Sequence, residues 1–122
     1  MTIYNEPPYS CEAVLFEIPE LSRENLTLVS GAGLVKAGTV LGQITASGKY
    51  TPYDDGFSDG SETAAAISLY EVDATAADVE VACIARLAAV QTAALQWHAN
   101  VDATAQTAAY TALAAKTILA RS

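Results

Sequence analysis

Four carboxylates crowd the stretch PYDDGFSDGSE: Asp54, Asp55, Asp59 and Glu62 fall within nine residues. That is enough oxygen to hold a divalent cation, provided the backbone wraps it round one centre. A calcium loop of the EF-hand type needs ligands at positions 1, 3 and 5, glycine at 6 and glutamate at 12. Counted from Asp55, position 3 is Phe57 and position 12 is Ala66, so the match fails. Gly56 and Gly60 beside aspartates instead describe two successive turns whose carboxylates bond nearby N–H groups, and the stretch reads as a solvated loop. His98 is the single histidine and the obvious general base, but no G-x-S-x-G elbow or other nucleophile signature accompanies it. It reads as a structural or surface residue. Cys11 and Cys83 are the two cysteines; with no C-x-x-C and one histidine they make no zinc site, and both read as reduced packing residues.

Two lysines raise a different chemistry. The phrase VKAGTVLGQI is similar to the strand-turn-strand of biotinyl and lipoyl carriers, which present a modified lysine at a hairpin tip. Lys36 and Lys49 lack the Met-Lys-Met or Asp-Lys-Ala setting of those carriers. A small carrier or ligand-binding β module is therefore the alternative reading. The glycines of SGAGLVKAG give a G-x-G in which Lys36 stands where a dinucleotide fingerprint has its last glycine, and strand-like residues follow instead of a helix. No catalytic, cofactor or metal residue is assigned.

The elements that would position these groups are those of one small domain. The chain has 122 residues, 52% hydrophobic, but 25 are alanine and aromatics are only 7%, so its core is thin. Such a chain gains from self-association. Net charge is −8, with no basic cluster to meet phosphates, which argues against nucleic-acid binding. No apolar run reaches the length of a membrane span, and the N-terminus has neither the basic nor the apolar region of a signal peptide; the expected site of synthesis is the cytoplasm.

Residues 1–24 read as an extended N-terminal arm, punctuated by Pro7, Pro8 and Pro19 around the apolar residues Ala13, Val14, Leu15, Phe16 and Ile18. Residues 25–122 read as a β-rich domain. Strands are expected in NLTLVSG, in the β-branched runs flanking the Lys36-Ala37-Gly38 and Ser47-Gly48-Lys49 turns, in TAAAISLYEV and VEVACIARL, and in the closing TILAR. The glycine-rich stretch from Ala37 to Glu62 reads as two tight hairpins followed by the acidic loop. AAVQTAALQWHAN suggests a turn of helix plus an extended piece. Near residues 103–115, Ala105, Ala108, Ala109, Ala112 and Leu113 recur on one helical face, with Asp102 or Thr104 as the N-cap. The fold class is mainly β (α+β), with a short Ala-rich helix near the C-terminus.

The ordered series Ser22-Arg23-Glu24, Lys36-Ala37-Gly38, Val40-Leu41-Gly42, Gly48-Lys49-Tyr50, Asp59-Gly60-Ser61 and Val72-Asp73-Ala74-Thr75 resembles the lambda-type head decoration proteins of tailed bacteriophages, over roughly residues 14–121. That resemblance implies a non-enzymatic cement protein on the outer surface of the virion capsid. It implies a homotrimer that clamps major capsid protein subunits of an expanded head, and an N-terminal arm that is flexible when free and docks as an added strand. The docking residues expected are Ala13, Val14, Leu15, Phe16 and Ile18. Burying Val14, Leu15, Phe16 and Ile18 would contribute about 6 to 12 kcal/mol at roughly 1.5 to 3 each, against a backbone ordering cost of about 1 to 2 kcal/mol per residue. Only about six residues can dock firmly on those side chains, with avidity from three arms.

Overall fold

The computed structural model describes residues 14–17 and 19–121. The chain forms the small β-rich domain with one short C-terminal helix that the sequence anticipates. A closed barrel takes the strands in the order β2-β5-β4-β6-β8: β2 Arg23–Leu28, β4 Val40–Gln43, β5 Tyr50–Pro52, β6 Ala64–Ser68 and β8 Val79–Ile84. Its longest ladder pairs all six residues of β2 antiparallel with β8, and Pro52 sits where it removes no essential donor, at the end of β5. Beside the barrel lie the ribbon β3 Gly33–Val35 with β7 Val72–Ala74, and a three-stranded sheet ordered β1-β9-β10. The latter joins β1 Val14–Glu17, β9 Ala88–Gln91 and β10 Ile118–Arg121.

Two local readings are corrected. The Lys36-Ala37-Gly38 turn closes with Thr39 N–H donating to Lys36 O at 3.2 Å, yet it is not a hairpin, because β3 leaves to pair with β7 while β4 enters the barrel. The second turn is a hairpin: Ile44 N–H donates to Lys49 O at 2.8 Å, and β4 and β5 pair antiparallel. TAAAISLYEV, read as one strand, is two, β6 and β7, in different sheets. A bend at Tyr70 separates them, where the Ser68 hydroxyl donates to Tyr70 O at 2.8 Å.

Alanine sets how closely the layers approach. Ala64 and Ala66 on β6, and Ala105 and Ala109 on the helix α2 (Ala103–Ala114; α1 is the single turn Pro19–Ser22 ahead of β2), are buried with Ile67, Ile84, Val90, Leu113 and Ile118. Asp102 caps α2 by accepting from Ala105 N–H at 2.9 Å. The buried face of α2 is narrower than its spacing suggests: Ala105, Ala109 and Leu113 are buried, Ala112 is partly so, and Ala108 faces solvent. The segment before α2 gives β9 and then a 3-10 turn at Thr92–Ala94.

Gly42 has no room for a side chain. A Cβ there would collide with the backbone of Ser61, so β4 and the loop that returns from the acidic stretch pack backbone against backbone.

Candidate functional site

The sheet β1-β9-β10 gathers both ends of the described chain. β9 is central, with β1 antiparallel and β10 parallel to it, and among the described residues β1 and β10 are the edge strands. Ordinary alternation would turn one of Leu15 and Phe16 inward. The register shifts between Val14, opposite Val90, and Phe16, opposite Ala89, and this bulge leaves both Leu15 and Phe16 outside, 53% and 63% exposed. Leu119, opposite Ala89 on the other side and 45% exposed, completes the outward row Phe16, Ala89, Leu119. The inward row, Ala88, Val90 and Ile118, is buried in the core.

This row floors an apolar groove of about 460 Å³, walled by Leu87 and by Ala114 at the end of α2, with Arg121 at its rim. Leu87 adopts a left-handed backbone, φ 50°, held because its N–H donates to the Thr117 hydroxyl at 3.1 Å and the Ser22 hydroxyl donates to its carbonyl at 2.6 Å. β1 is tied back to the barrel by Arg23, whose Nε donates to both carboxylate oxygens of Glu17 at 2.9 and 3.0 Å.

Among the residues singled out for docking, Val14, Leu15 and Phe16 belong to β1, while Ala13 and Ile18 lie outside the described residues. Leu87, Ala89, Leu119 and Arg121 line the same groove as Phe16 but come from three separate segments, VEVACIARL, AAVQTAALQWHAN and TILAR, and nothing in those segments shows that they meet.

The chemical candidates do not converge. Among the described residues no three His, Cys, Asp or Glu side chains group as metal ligands. Cys83 is fully buried, and burial pushes its thiol up to about 12, far from a reactive thiolate. Lys49 pairs with Asp78 at 2.5 Å, and Lys36 lies exposed in the turn between two sheets. The acidic loop needs one correction. Asp55 and Asp59 are exposed, but Asp54 is buried: it accepts from Gly56 N–H at 2.9 Å and from Asn100 Nδ2 at 3.2 Å, with His98 Nδ1 at 3.5 Å. It joins the loop to the segment ahead of α2.

What remains is the apolar, partly open groove on the β1-β9-β10 sheet. The family model described as bacteriophage lambda head decoration protein D matches residues 3–118. The chain belongs to that family. This lambda-type family is structural and decorates phage heads, which supports a capsid-decoration role for this member and a location on the virion capsid. A comparison with curated proteins finds no match.

Proposed function

We propose that this decoration protein is a cement: it trimerises on the outer surface of an expanded tailed-phage head and clamps neighbouring major capsid protein subunits together. The observation that carries the reading is the outward apolar row Phe16, Ala89 and Leu119 across the β1-β9-β10 sheet.

Edge backbone groups offer a coat strand main-chain hydrogen bonds, and the adjacent apolar side chains supply burial. β9 engages one edge of β1; among the described residues no strand pairs with its other edge, and that edge is offered to the coat. Leu15 and Phe16 are more than half exposed on their own domain, so that part of their surface remains to be buried against the coat. The acidic chain, net −8, suits the outside of a shell whose DNA is within. The lipoyl-type alternative has less support, because Lys49 is engaged by Asp78 and the Lys36 turn is not a hairpin tip.

The test is the pair Phe16→Ser and Leu119→Ser. Both positions are solvent-facing, so the double variant melts close to the parent, while binding to expanded heads falls at least tenfold. Binding at the parent's strength would remove this surface from the account.

A further inference from the structure

The basic residues divide into those engaged within the chain and those left open. Arg23, Lys49 and Arg86 pair with Glu17, Asp78 and Glu24. Lys36 makes no ion pair among the described residues and stands at the rim of a second hollow, of about 230 Å³. About half of its lining is apolar, with Leu34, Pro52 and Trp97 foremost, and the rest is polar, with Thr39, Gln96 and His98 in it. Leu34 is 58% exposed at its mouth. Trp97 is fixed from behind by edge-to-face contacts with Tyr53 and Tyr110, at centroid distances of 6.4 and 5.6 Å. An apolar cavity of roughly 150 Å³ accepts a benzene ring. The hollow thus has room for one aromatic side chain with an acidic neighbour, and is too small for a strand.

The same chain carries that shape elsewhere. Phe57 is 43% exposed on the loop between β5 and β6, without a ring partner among the described residues, and the exposed Asp55 lies two residues before it. Asp55 is also without an ion pair there. The loop is stiffened from both sides, by Asp54 accepting from Gly56 N–H and by Asp59 accepting from Ser61 N–H at 3.0 Å. An aromatic knob with a carboxylate therefore matches a hollow that has an apolar wall, Leu34 and Trp97, and a cation at its rim.

We propose that Phe57 of one copy inserts between Leu34 and Trp97 of the next, with Asp55 meeting Lys36. The inference rests on the self-association in the reading above and names its contact. Knob and hollow are different surfaces of one chain, so the contact is heterologous and forms a closed ring when its rotation permits. Pairing opposite charges at the seam also lets copies of net charge −8 approach one another.

Sedimentation equilibrium of the full chain tests it. The parent self-associates; Phe57→Ala weakens this at least tenfold, as loss of a central aromatic anchor does. Lys36→Asp and Asp55→Lys each weaken it roughly tenfold, and the two reversals combined restore it. Melting temperatures of all variants stay near the parent, since every position is exposed. Self-association indifferent to these changes, or absent from the parent, overturns the contact. Loss of head binding with self-association untouched assigns the hollow to the coat and overturns it as well. A parent that decorates heads as single copies removes this contact but not the cement reading, which fails only if the parent ignores heads.

Discussion

At the scale of the residue, the aspartates show what sequence can and cannot foretell. That Asp59 and Asp73 hold local turns was legible, because their partners Ser61 and Thr75 are two residues away. Asp54 has such a local partner in Gly56 N–H, but it also accepts from Asn100, a distance along the chain that no turn rule spans. Hydrogen bonds hold the carboxyls of Asp54, Asp59, Asp73 and Asp78 below the usual aspartate value. The largest cause is Gly56 N–H for Asp54, the Ser61 hydroxyl for Asp59, the Thr75 hydroxyl for Asp73 and the Lys49 ammonium for Asp78. A depressed carboxyl stabilises the fold above its unfolded value and loses that contribution as pH falls through its folded one. Melting temperature should therefore change little on this account from pH 7 to about pH 5 and fall below about pH 4. Asp54→Ala should both lower the neutral melting temperature and shrink the acid-side fall, as scanning calorimetry across pH would register; an acid profile identical to the parent's would deny Asp54 its place.

At the scale of the element, the existence of strands was readable from alternation and turn residues, and their partners were not. β1 and β10 both choose β9, with more than 70 residues between β1 and β9, and a period of two says which residues share a face but nothing about which sheet they join. The outward Leu15 and Phe16 were legible as an apolar run; that a bulge turns both outward was not, since a bulge has no composition of its own. Gly42 is a similar case: it sits inside β4 against the Ser61 backbone, a contact 19 positions away that local pattern does not show. Gly42→Ala should cost about 1 to 3 kcal/mol through overpacking, seen as a melting temperature lower by roughly 4 to 15 °C. A variant that melts with the parent would mean that the two backbones are not in contact.

At the scale of the whole molecule, the barrel is closed and leaves no edge of its own, so among the described residues the strand edges belong to the β3-β7 ribbon and to the β1-β9-β10 sheet, where both ends of the described chain meet. Alanine-rich layers give a thin core, and added surface burial, on the coat and between copies, strengthens such a domain. The most direct measurement is titration of purified protein onto expanded phage heads lacking decoration, with bound mass per head followed to saturation. The account predicts saturable binding that plateaus at three copies per three-fold position of the shell and makes the heads harder to disrupt. Heads that take up no protein, or take it up without a plateau, would contradict it.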